Sequence, residues 1–143
     1  MFTQQKTLKK TKSKVENTLD AKVAICLAEL LTLVPALHKL HLIVTGAGSY
    51  AQHTALNEAY DALPDAIDTV AEGYQGAAEV LLKLPSVEIV TFENIEQCLD
   101  FCRMKCDSMT KMQEIIPYSE VVNNIDLIKD ILNKLKYKLL FLA

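Results

Sequence analysis

The apolar residues Val23, Cys26, Leu27, Leu30, Leu33, Val34, Leu37 and Leu40 return every three or four positions, the spacing of one face of an α-helix. This predicts a first helix from about Glu16 to Val44, kinked at Pro35, whose nitrogen has no proton to give the preceding turn. A second stripe, Leu56, Tyr60, Leu63, Ile67, Val70 and Tyr74, predicts a helix capped by Ser49 and running to about Lys83, with another kink at Pro64. The segment LPSVEIVT that follows contains Pro85, continues no helix comfortably and reads as a crossover. Thr91 then caps a third helix from Phe92 to about Ile115, and Pro117 and Ser119 mark a turn. Val121, Val122, Ile125, Ile128, Ile131, Leu132, Leu135 and Leu139 carry a fourth helix to the end. The pattern predicts an all-α four-helix bundle in one domain, residues 16–143, with its long connection between the second and third helices.

Composition agrees with this pattern. Half of the 143 residues are hydrophobic, with only 4 Gly and 4 Pro, which is enough for a single sizeable core. No run of roughly eighteen uninterrupted apolar residues and no hydrophobic leader is present, so the expectation is a cytoplasmic protein without a membrane span. Charge is unevenly distributed. Residues 1–15 form a polar tail with Lys6, Lys9, Lys10, Lys12 and Lys14 and no acid, whereas the remainder holds the other 10 basic residues against all 18 acidic ones. Such a tail suits non-specific contact with DNA phosphates through counterion release, and equally suits a solubilising arm or an extension of the first helix.

Chemistry concentrates between His41 and Glu72, where His41, His53, Asn57, Asp68 and Glu72 offer two imidazoles, an amide and two carboxylates. Such donors suit a borderline metal such as iron, or zinc in its place. The hinge Gly46-Ala47-Gly48-Ser49 separates the two histidines, so an antiparallel helix pair holds them side by side. Fifteen residues of helix separate His53 from Asp68, roughly 22 Å at the α-helical rise, so one chain cannot bring both to one ion. Two copies of this helix packed antiparallel about a two-fold axis bring the histidines of one subunit to the carboxylates of its partner. With about 100° per residue, His53, Asn57, Asp68 and Glu72 fall on one side of the helix and the apolar stripe on another. A solvated acidic face, widened by Glu58, Asp61 and Asp65, produces the same stripe without a metal. His38, one turn before His41, is either a further ligand or a hydrogen-bonded neighbour.

The spacing His41, His53, Asp68, Glu72, with Gly46 in the turn and the run TALNEAYDALPDAIDTVAE, resembles the ferroxidase segment of the Dps family, ferritin-like mini-shells that oxidise and store iron and often shield DNA. The resemblance implies a ferritin-like bundle assembled through two-folds, as a dodecamer. It also implies an inter-subunit mono-iron or di-iron site in which His41 and His53 come from one chain and Asp68 and Glu72 from the other. Two positions depart from that family: Leu42 stands where an aromatic residue is usual, and Asn57 where an acid is expected.

Other chemistries find little support. The Glu-x-x-His motif of an iron site inside one bundle is absent, as are the glycine-rich nucleotide cradles. Cys98, Cys102 and Cys106 share one face of the third helix without forming a CxxC pair, and are read with Cys26 as small core residues in a reducing compartment. The function expected is a Dps-like ferroxidase that takes Fe(II) and passes its electrons to peroxide or dioxygen, with DNA protection through the tail as a further expectation. The competing expectation is a ferritin-like structural or DNA-associated component, of viral origin in one version, with a weak or vestigial metal site.

Overall fold

The computed structural model describes residues 18–143. The lysine-rich tail lies outside them. Thr18 Oγ1 accepts the backbone N–H of Ala21 at 3.2 Å, so Leu19 opens the first helix, α1 (Leu19–Ile43). Val44 is extended and ends it. Three further helices follow: α2 (Ser49–Ala78), α3 (Ile95–Gln113) and α4 (Ser119–Phe141), with no strand among the described residues.

Besides the opening of α1 at Leu19 rather than about Glu16, three boundaries differ from those read in the sequence, each for a local reason. Ser49 is not a cap: Gly48 holds that position at φ 78°, and the Ser49 N–H donates to the Gly46 carbonyl at 3.1 Å. A Cβ on Gly48 would lie 2.8 Å from the backbone carbon of Ala143, so both the left-handed backbone and the close approach require glycine. α2 stops at Ala78 rather than Lys83 because Glu79 turns left-handed at φ 54°, while Val80 N–H donates back to the Gln75 carbonyl at 3.1 Å. Gln75 Oε1 then accepts Leu82 N–H at 2.9 Å, pulling the chain off the helix axis. The third cap is Asn94, not Thr91: Asn94 Oδ1 accepts Gln97 N–H at 2.9 Å, and Gln97 Oε1 accepts Glu93 N–H at 2.8 Å. Residues 80–94 between these two termini contain no helix or strand.

The helices pack in the cyclic order α1, α2, α4, α3, so α1 lies diagonal to α4 and α2 to α3. Cross-links fix the directions. Asp20 meets Tyr74, and His41 meets His53, so α1 and α2 are antiparallel. Glu58 pairs with Lys138 while Gly73 sits by Asn124, Glu29 pairs with Lys105, and Gln113 bonds the Val122 carbonyl while Cys106 meets Asn133. Every adjacent pair is therefore antiparallel. α2 and α3 then run parallel, and residues 79–94 connect opposite ends of the bundle.

The core is aliphatic, with Leu30, Leu33, Leu37, Leu56, Leu63 and Ile128 essentially inaccessible. Alanines 55, 59 and 66 are also buried on α2, where their small size admits α4. All four cysteines are buried free thiols. Pro35 and Pro64 lie within α1 and α2 on their exposed sides, where water reaches the carbonyls left without donors. Among the described residues, α1 alone is long and apolar enough to cross a membrane by length and composition. Like every helix of the bundle it packs on two neighbours, α2 and α3, and more than half of its apolar stretch is buried within the bundle.

Candidate metal centre

The backbone carbonyl of His41 lies 2.8 Å from His53 Nδ1. A carbonyl only accepts, so Nδ1 of His53 carries the proton, and its Nε2 keeps a free lone pair. His53 is exposed, and this is the orientation in which a metal-ligating imidazole is usually held by a backbone oxygen. His41 lies underneath, buried, its ring centroid 3.7 Å from that of His53 and the planes 22° apart.

The polar groups around His41 form a chain. The Tyr60 hydroxyl donates to Asn57 Oδ1, and Asn57 Nδ2 donates to Asp61 Oδ2 at 3.3 Å. The Tyr60 oxygen also lies 3.5 Å from His41 Nε2. His41 Nδ1 is a buried atom without a hydrogen-bond partner among the described residues. Burial, reinforced by the neighbouring His53, holds the His41 pKa below its usual 6.5. Burial and the Asp61 charge likewise raise that of Tyr60. His38 stacks on Tyr60, centroids 4.4 Å apart, and meets His41 edge-on at 5.6 Å.

The two histidines are thus brought together across the glycine hinge. Asp68 and Glu72 are not brought to them: both lie exposed, one turn apart, far along α2, and neither makes an ion pair among the described residues. No group of three or more His, Cys, Asp or Glu side chains among the described residues could hold a metal within one chain. Asn57 lies on the expected face, but both ends of its amide are occupied by Tyr60 and Asp61. Tyr60 packs against the core as its place in the stripe predicts, and its part in the site is what the apolar pattern did not single out. It belongs to the apolar stripe, yet its hydroxyl organises the site, and the only signal was an Asn and a Tyr three positions apart on α2.

Imidazole lone pairs lie in the ring plane, so two nearly parallel rings do not aim at one point. As they stand, His41 and His53 do not share an ion. His53 offers one prepared ligand, whereas His41 needs a tilt between the rings.

Residues 45–139 match the model of a family of unknown function, DUF5856. The chain belongs to DUF5856. The matched region takes in the hinge glycines, α2, α3 and most of α4, so His53, Asn57, Asp68 and Glu72 fall within the DUF5856 region while His38 and His41 precede it. The chain matches no curated protein and no solved structure.

Proposed function

We propose that this DUF5856 protein is a Dps-like iron-binding and iron-oxidising protein whose site is completed between two subunits. The observation that carries the reading is the His41 and His53 pair, with His53 held by a backbone carbonyl so that Nε2 faces outward. Asp68 and Glu72, exposed and free of ion pairs among the described residues, supply the second half from a partner when two α2 helices pack antiparallel. Leu42, Ile43 and Tyr50 beside the histidines are 68%, 54% and 83% exposed, apolar surface that a partner subunit would cover. The cyclic packing order and the end-to-end connection over residues 79–94 favour a ferritin-like bundle, with a dodecameric shell as the assembly.

In this reading Fe(II) is the substrate. His53 Nε2 binds it first, and the partner's two carboxylates add charge that favours the ferric product. His41 joins once its ring tilts out of the stack, and each Fe(II) gives one electron to peroxide or dioxygen. The stacked rings and the occupied amide of Asn57 favour the competing reading, a structural or DNA-associated bundle with a vestigial site.

Mixed assemblies decide between them. His53→Ala and Asp68→Ala should each lower aerobic Fe(II) oxidation at least tenfold. A dimer joining one chain of each kind keeps one complete site, so its activity should rise to about half that of the parent. Folded mixed dimers that recover nothing, or single variants that oxidise iron at the parental rate, remove the shared site.

A further inference from the structure

α1 and α3 make the thinnest of the four helix contacts, and between them lies a groove with a cavity volume of about 390 Å³. Small-molecule sites occupy roughly 300–1,000 Å³, so the space admits a ligand rather than a few waters. Short side chains, Cys26 on α1 and Ser108 on α3, line it, and the buried Lys105 reaches across it to pair with Glu29.

The walls are chiefly apolar. Ile25 and Ile115 stand at the edges, 39% and 49% exposed, with Met112 buried beneath them. Two further lysines, Lys22 and Lys111, line the groove and make no ion pair among the described residues. Glu29 already neutralises Lys105, so the groove carries surplus positive charge on a body, residues 16–143, in which acidic residues outnumber basic ones. An apolar trough with positive charge at its edge complements one kind of molecule, an anion on a flexible hydrocarbon chain. The chain preceding Thr18 is a poor occupant, because its five lysines bring more charge of the same sign.

We propose that the α1–α3 groove binds a free medium-chain carboxylate, its hydrocarbon chain lying along Ile25, Met112 and Ile115 and its head group held by Lys22 and Lys111. This site is separate from the histidine pair and stands or falls independently of iron chemistry. Exposed lysines contribute modestly, and most of the affinity comes from the buried methylenes.

The test is calorimetric titration of the full-length protein with decanoate, octanoate, decanol and acetate, each below its aggregation limit. Decanoate should bind with a micromolar Kd. Octanoate, two methylenes shorter, should bind about tenfold more weakly. Decanol should also be about tenfold weaker, for want of the charge. Acetate should not bind. Lys22→Gln with Lys111→Gln should bring decanoate down to the decanol level without changing decanol itself. Ile115→Asp, at a half-exposed position and with its helical circular dichroism checked against the parent, should abolish both. Equal affinity for decanoate and decanol, unchanged binding by Ile115→Asp, or no heat with decanoate would overturn the proposal. So would a shift in light-scattering mass on replacing the two lysines, which makes the groove a contact between copies, and so would binding to anionic phospholipid vesicles in place of free decanoate.

Discussion

His41 is the residue whose environment makes the sharpest demands. Its pKa is lowered in the folded protein, first by burial and then by His53, so the folded state favours the neutral ring. The unfolded chain takes up a proton near the ordinary value of about 6.5, before the folded chain does. Stability contributed by neutral His41 is therefore complete above that pH and is lost as pH falls through the lower folded pKa. Urea unfolding at pH 7.5 and 5.5 should show a loss at the lower pH that His41→Gln reduces. An equal loss in the variant would place the sensitivity elsewhere. Leu33 and Leu63 are fully buried core residues, and replacing either by alanine leaves a cavity lined by neighbours that cannot close it. Each should cost about 2–5 kcal/mol in chemical denaturation. The exposed carboxylate variant Asp68→Ala should stay within about 0.5 kcal/mol of the parent, so that its effect on iron oxidation is not a folding effect.

At the scale of the helix, two left-handed residues flank α2 and behave oppositely under substitution. Glu79 adopts φ 54° with a side chain that gains nothing there, so Glu79→Gly should stabilise the protein by up to about 1 kcal/mol. Gly48 has the same backbone handedness and also touches Ala143, so Gly48→Ala should destabilise it by more than about 1 kcal/mol. Thermal melts of the two variants should move in opposite directions, and a shift of the same sign would contradict the assigned backbone conformation. The hinge matters beyond stability, because it delivers His53 to the His41 carbonyl. Loss of that register should disturb the histidine pair before it disturbs the core.

At the scale of the molecule, the separation of roughly 22 Å between His53 and Asp68 along α2 makes a metal-competent protein at least a dimer. Light scattering during aerobic iron titration should show a species of dimer size or larger, and a monomer that oxidised iron at these residues would contradict the shared site. The tail, with Lys6, Lys9, Lys10, Lys12 and Lys14, lies outside the described residues and is tested separately. Its five charges should give DNA retardation that weakens steeply with salt and disappears when residues 1–15 are deleted. An intact assembly that leaves DNA unretarded at low salt reduces the tail to an arm.

The sequence by itself determined four amphipathic or apolar helices, because a period of 3.6 is written in which residues are apolar, and Leu33, Leu63 and Ile128 could go nowhere but inside. It also determined that His41 and His53 would meet, since a glycine hinge between two antiparallel helices leaves them no other height. Only the tertiary structure decided how they meet. Ring stacking, the proton on His53 Nδ1 and the claim of Tyr60 on Asn57 depend on angles between helices and on rotamers, to which sequence spacing is blind. Helix ends were misplaced where a single torsion, at Glu79 or Gly48, outweighed the apolar pattern running past it. The groove between α1 and α3 was illegible for the same reason: it is a volume between two elements, lined from both, and such a volume is a property of neither.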